Sequence, residues 1–163
     1  MVILGIDPGT RRIGYGVIKK SSAELKLLDA GLLAIKSKDD FGAMKEMKQQ
    51  IDAVIKKFKP EALSIEKVYF VKNRKTGIKV AEARGIIISC ALTLGLRVEE
   101  YGPNEVKAAL TGYGFADKKA VLKMVRIILK EPGLKVIDDA SDALALAIVA
   151  GYKYGVDSRA THL

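Results

Sequence analysis

Asp7, Glu66, Asp139 and Asp142 are carboxylates in places where a carboxylate is expensive to keep. Asp7 closes the apolar run Val2-Ile3-Leu4-Gly5-Ile6, and Glu66 closes Ala62-Leu63-Ser64-Ile65. Both runs read as short buried strands. An acid at the end of such a strand costs several kcal/mol to desolvate unless it is paired or coordinates a cation. Asp139 and Asp142 precede an apolar stretch that reads as a helix, and a spacing of three puts them on one face near its N-terminal end. Alone, that pair would be read as helix capping and dipole compensation. With Asp7 and Glu66 in frame, hard oxygen ligands without His or Cys beside them point to Mg²⁺ or Mn²⁺ rather than zinc. Two such ions about 3.5–4 Å apart can activate water and stabilise a leaving oxygen at phosphorus. The expected chemistry is phosphodiester hydrolysis.

The elements that must position these acids are legible in outline. Residues 2–6, 13–18 and 26–35, the last with a break at Gly31, read as three strands joined by short polar turns, hence an antiparallel meander. The small residues Gly14 and Gly16 in the second would let another backbone or a nucleic-acid strand come close. Phe41, Met44, Met47, Ile51, Val54, Ile55 and Phe58 recur at helical spacing, with Asp39 or Asp40 as cap and Pro60 as stop, so a helix is expected over 40–58. After the Glu66 strand come a basic, irregular stretch over 67–77, a helix over 78–94 ended by Gly95, and a fifth strand over 97–101. A short helix over 103–110, a glycine turn over 111–114, a helix over 118–129 and a last helix from Asp138 or Asp139 complete the chain. Strands followed by alternating strands and helices predict an α/β domain, a mixed five-stranded sheet flanked by helices.

With 163 residues, 49% of them hydrophobic, the chain is sized for one domain with one substantial core. Its net charge of +9, from 28 Lys and Arg against 19 Asp and Glu, favours a polyanionic partner, with nucleic acid the first expectation. No apolar run reaches the roughly 18 residues of a membrane span, and Met1 leads straight into the first strand, so a cytoplasmic protein is expected. Cys90 stands alone, which excludes a disulfide within the chain and a thiolate metal site, and is expected in the core. His162, the single histidine, is expected in solvent.

Five motifs together resemble the RuvC-type Holliday-junction resolvases, over nearly the whole chain. They are Ile6-Asp7-Pro8-Gly9-Thr10 with Gly14-Tyr15-Gly16; Ile65-Glu66 with Asn73 and Ala83-Arg84-Gly85; Pro103-Asn104-Glu105-Val106-Lys107; Thr111-Gly112-Tyr113-Gly114 with Ala116-Asp117-Lys118; and Asp139-Ala140-Ser141-Asp142-Ala143-Leu144-Ala145. The resemblance implies a ribonuclease H-like fold and an endonuclease that resolves four-way junction DNA in recombination and repair, leaving 5′-phosphate and 3′-hydroxyl ends. It implies Asp7, Glu66, Asp139 and Asp142 as the catalytic, Mg²⁺-binding acids. Asp138 offers an alternative spacing of four to Asp142, but the run that follows favours Asp139. Lys107 and Lys118 match basic positions that neutralise phosphate or transition-state charge, and Lys119, Lys72, Arg74, Lys75, Asn73 and Arg84 join them as candidate DNA contacts. Tyr69 and Phe70 would be core aromatics by default. In the family an aromatic at the Tyr69 position resembles a wedge that stacks on opened bases; Tyr in place of Phe keeps the stacking face and adds a hydroxyl.

Rival readings are weaker. Asp7-Pro8-Gly9-Thr10 also resembles the phosphate turn of actin-like and sugar-kinase ATPases, but those need a second phosphate turn and an adenosine site on a larger chain. A ribonuclease acting on RNA does not match the paired acids and the lysine motif, and a decayed DNA-binding module would not keep all four acids. A symmetric junction has two equivalent strands, so a two-fold homodimer is expected, with the helix over 78–94 as its interface. The resemblance further implies cooperation with RuvA and RuvB.

Overall fold

The computed structural model describes residues 1–22, 24–68 and 74–160, except for the side chains of 74, 75 and 155–160. Five strands, β1 (Val2–Asp7), β2 (Arg12–Lys20), β3 (Leu25–Ala34), β4 (Ala62–Glu66) and β5 (Arg97–Tyr101), form one sheet in the order β3-β2-β1-β4-β5. The first three are an antiparallel meander; β4 joins β1 in parallel and β5 joins β4 in parallel. The expected mixed sheet is therefore present. Among the described residues five helices cover it: α1 (Asp40–Phe58), α2 (Arg74–Thr93), α3 (Pro103–Thr111), α4 (Lys118–Ile128) and α5 (Asp138–Ala160).

Strand alternation decides which side chains meet which helices. Leu4, Ile6, Leu63 and Ile65 turn to one face, where Met47, Ile51, Ala83, Ile87 and Cys90 of α1 and α2 pack on them. Ile3 and Ile18 turn to the other, against α3, α4 and α5, with Val106, Val125, Leu144 and Ile148 in the second core. Asp7 has the parity of Ile3, and Glu66 that of Ser64, whose hydroxyl donates to the Leu146 carbonyl of α5 at 2.7 Å. Both acids thus emerge on the α5 side. Because Ile6 pairs with Ile65 in the parallel register, the next residue along each strand brings Asp7 beside Glu66.

Helix α5 lies unusually close to the sheet, and glycine makes that possible. A Cβ at Gly5 would stand 2.0 Å from the Ala143 carbonyl oxygen, at Gly14 2.0 Å from that of Asp139, and at Gly16 2.7 Å from the Leu144 side chain. The backbone expected to approach Gly14 and Gly16 is that of α5. Its own facing residues are small: Ala140, Ala143, Ala147 and Ala150 are fully buried.

Several boundaries differ from those read in the sequence. Strand β3 runs through Gly31, whose would-be Cβ lies 3.1 Å from the Tyr15 ring, and the irregularity lies instead at Leu28, the extra residue of β3 between the pairs Val17–Asp29 and Ile18–Leu27. Helix α2 begins at Arg74, inside the stretch read as irregular, because the polar residues of its first turn carry no apolar periodicity to show it. Asp39 caps α1, accepting from the Gly42 N–H, while Phe41 at its start is 84% exposed and contributes nothing to the core. Cys90 is buried, as expected.

Gly5→Ala should force α5 off the sheet and cost about 1–3 kcal/mol, seen as a thermal midpoint lower by roughly 2–4 °C per kcal/mol. Gly133→Ala, with nothing within 4 Å of the added carbon, should melt like the parent.

Candidate functional site

Where β1 and β4 end, an open cavity of ≈ 200 Å³ is lined by Asp7, Glu66, Asp142, Lys107 and Lys118, with apolar walls that include Val121 and Leu146. Four elements build it besides β1. Strand β4 delivers Glu66, α5 delivers Asp142 from its first turns, α3 delivers Lys107, and α4 delivers Lys118 as its first residue after the Asp117 cap. Asp139 stands at the same end of α5, close enough to act on the charge of Asp7. Residues scattered along the chain are thus gathered at one edge of the sheet.

The electrostatics are those of crowded acids. Burial, then the charges of Asp142, Glu66 and Asp139, push the Asp7 carboxyl up to about 7, against a smaller opposing pull from Lys118. Glu66 is raised as well, by burial and then by Asp142, with Lys107 and Lys118 holding it back. Lys118 Nζ lies 3.2 Å from Asp142 Oδ2 and 3.7 Å from Asp138 Oδ2. Burial works against its charge, but the Asp142 hydrogen bond and the surrounding acids outweigh it and raise the ammonium above its ordinary value. On the other flank, Arg12 Nε donates to Asp139 Oδ2 at 3.2 Å.

Arg12 was not singled out in the sequence, although the parity of β2, which turns Gly14 and Gly16 toward α5, places it on the same face. Arg84, read as a DNA contact, reaches the site from the opposite side of the sheet: its Nε donates to the Glu66 carbonyl oxygen at 3.2 Å and its guanidinium pairs with Glu100. It holds the end of β4 in place. Lys119 is exposed beside Lys118 and does not line the cavity. Tyr69, Phe70, Lys72 and Asn73, and His162, lie outside the described residues; Arg74 and Lys75 open α2, but their side chains are not described.

The donor set suits a hard divalent cation: carboxylate oxygens only, crowded enough to hold a proton on Asp7 near neutrality. As the side chains stand, no group of three or more described His, Cys, Asp and Glu residues is arranged to hold a metal ion. Lys118 on Asp142 and Arg12 on Asp139 fill the role of counterions there.

The sequence model of the family described as crossover junction endodeoxyribonuclease RuvC matches residues 3–150. A relative from Brachyspira hyodysenteriae, crossover junction endodeoxyribonuclease RuvC, is 44% identical over 151 residues, 91% of this chain and 92% of its own. Its counterpart from Petrotoga mobilis is 40% identical over 152 residues, 93% of each chain. Among solved structures, Thermus thermophilus RuvC in complex with a Holliday junction substrate superposes with a TM-score of 0.88 at 31% identity, covering 97% of each chain.

The raised Asp7 pKa makes metal-free stability depend on pH. Below about pH 4 the acid is protonated folded or unfolded; as pH climbs toward 7 the unfolded chain releases its proton first, so the folded state loses stability until folded Asp7 also ionises. In EDTA the thermal midpoint should therefore fall between pH 5 and pH 7 in the parent and fall less in Asp7→Asn. Added Mg²⁺ should restore the parent at pH 8 and do little for Asp7→Asn.

Proposed function

Because the chain belongs to the RuvC family of crossover junction endodeoxyribonucleases, it acts on Holliday junctions, and we propose that Asp7, Glu66, Asp139 and Asp142 carry the cut. The observation that supports this is the convergence of Asp7, Glu66 and Asp142 with Lys107 and Lys118 around one cavity, with Asp139 at its rim.

The four acids would hold two Mg²⁺ ions, for which Mn²⁺ can substitute. When bound, such ions make water a nucleophile at neutral pH and offset the charge on the leaving 3′ oxygen, which gives 5′-phosphate and 3′-hydroxyl ends. The chain's own residues do the rest. Glu66 and Asp7, fixed at adjacent strand ends, set the floor on which the phosphate is presented. Lys118 is fully charged and seated among the acids, so a phosphodiester oxygen entering the cavity meets a donor already oriented by Asp142. Lys107 supplies a second cation from the α3 wall and draws the strand in. Asp138, more exposed and paired only at 3.7 Å with Lys118, plays a minor part.

Outside the cavity, Lys119 and the basic stretch with Lys72, Asn73, Arg74 and Lys75 are assigned to the DNA backbone, and Tyr69 and Phe70 to stacking at the opened junction. Arg84 serves by positioning Glu66. We assign the chain to one domain, working in the cytoplasm where the chromosome of such an enzyme lies; among the described residues no helix is long and apolar enough to cross a membrane. Cooperation with RuvA and RuvB rests on the family alone.

A homodimer is the economical way to cut two symmetric strands. The face of α2 turned away from the sheet supports it: an open, mostly apolar groove of ≈ 670 Å³ between α1 and α2, lined by Met44, Gly85, Ile86 and Cys90 among others, with Ile78 62% and Leu92 60% exposed on the same helix. At Gly85 nothing lies within 4 Å of an added Cβ, which leaves room for a partner helix.

Asp7→Asn should lower Mg²⁺-dependent cleavage of a synthetic four-way junction by at least two orders of magnitude and leave junction binding within a few-fold; loss of both together in a folded variant would remove Asp7 from the catalytic set. Gly85→Arg should sediment as a monomer at micromolar concentration and nick a cruciform plasmid that the parent linearises. A parent that is itself monomeric and still linearises the plasmid would end the dimer reading.

A further inference from the structure

The loop from α3 to α4 carries aromatic surface that the fold does not use. Tyr113 is 62% and Phe115 74% exposed, and their rings stand together with centroids 5.8 Å apart and planes tilted by 59°. In a tilted pair one ring braces the other without covering its outer face. Two large apolar side chains left in water side by side oppose solubility unless something covers them.

The loop that presents them is pinned at every step. Thr111 Oγ1 donates to the Lys107 carbonyl oxygen at 2.8 Å and accepts the Tyr113 N–H at 3.1 Å. Gly112, at φ 78°, closes α3 with its N–H on the Ala108 carbonyl, and Gly114 lies against Asn104, whose oxygen would be 3.2 Å from an added Cβ. The Ala116 N–H bonds to the Tyr113 carbonyl at 3.1 Å while its side chain is buried, and Asp117 caps α4 through the Ala120 N–H at 2.7 Å. With the backbone of the loop already held, only the side-chain freedom of the two rings is left to lose when something stacks on them.

What covers them is decided by where the loop begins and ends. It joins the helix that brings Lys107 to the acidic cavity to the helix that brings Lys118 there, with Lys119 exposed beside it. A cationic wall next to flat aromatic faces matches a nucleotide, with the phosphate going to the lysines and the base to the rings. An apolar protein partner would place lysines at its rim for no return. We propose that Tyr113 and Phe115 form a stacking platform for an unstacked nucleobase of the DNA strand held in the cavity, flanking the phosphate that is cut. The proposal rests on the DNA-cutting function assigned above and adds a binding subsite to it.

Four-way junctions carrying 2-aminopurine at single positions around the cut, titrated with protein in EDTA, read the stacking directly. For the parent, fluorescence should be quenched at one position beside the cut. Tyr113→Ala/Phe115→Ala should lose that quenching and bind the junction about ten-fold or more weakly, the scale of losing one stacked base. Its log-log salt slope should not change, since no phosphate contact is removed. Phe115→Trp should retain the quenching, and Phe115→Leu, apolar but without a ring, should behave like the alanine. Parent-like quenching and affinity in the double variant, or in Phe115→Leu, would overturn the platform while leaving the nuclease intact. A parent that neither binds nor cuts the junction would overturn the platform together with the DNA reading beneath it.

Discussion

The contact on which the site depends is backbone against backbone: α5 lying on β1 and β2 where Gly5, Gly14 and Gly16 remove the side chains that would keep it away. Two acids come from strand ends and two from the start of this helix, so the distance between the pairs is the distance between helix and sheet. An added methyl at Gly14 would collide with Asp139 itself, both its carbonyl oxygen and its Cβ. The alanines of α5 complete the fit from the other side, and the Ser64 hydroxyl, donating to the Leu146 carbonyl, fixes the helix against sliding along β4. Packing at this density transmits small volume changes rather than absorbing them, which is why residues with no reactive atom govern the placement of those that have one.

The second constraint is charge. A protein with net charge +9 has gathered acids at one cavity and raised Asp7 to about 7 in doing so. Such an arrangement opposes folding on its own account, and Lys118 and Arg12 offset only part of it. Sites that bind cations tightly are commonly held in this condition, since repulsion stored among ligands is released on binding. The basic surface outside and the acidic cavity inside differ accordingly: the first attracts any polyanion, while under the proposed function the second would take the phosphate together with compensating cations.

Much of this was legible in the sequence because the relevant signals are local. The apolar runs show that Asp7 and Glu66 close buried strands, the three-residue spacing shows that Asp139 and Asp142 share a face, and the helical period over 40–58 is strong enough to locate α1 to the residue. What stayed hidden depends on tertiary context. The pairing of Arg12 with Asp139 spans most of the chain, and only the packing of α5 across β2 brings them together. The commitment of Arg84 to the Glu66 carbonyl needs α2 placed behind β4. Phe41 fits the apolar period of α1 and is nonetheless in solvent, which the period alone does not show. Tyr113 fell inside a turn that was read for its glycines, and Phe115 in the gap between that turn and Ala116.

The two faces of the sheet divide the work, and Arg84 connects them. On one face lie α5, the acids and the lysines; on the other, α2 turns its inner surface to the core and its outer one to solvent. Arg84 belongs to α2, yet its guanidinium holds the backbone at Glu66 and the Glu100 carboxylate on neighbouring parallel strands. A displacement of α2 along its axis would therefore reach one of the four acids through a single hydrogen bond, without passing through the core. Helix α2 and the ends of β4 and β5 are in this way joined by one side chain, in a position where Lys, which lacks the planar fork, could not make both bonds at once.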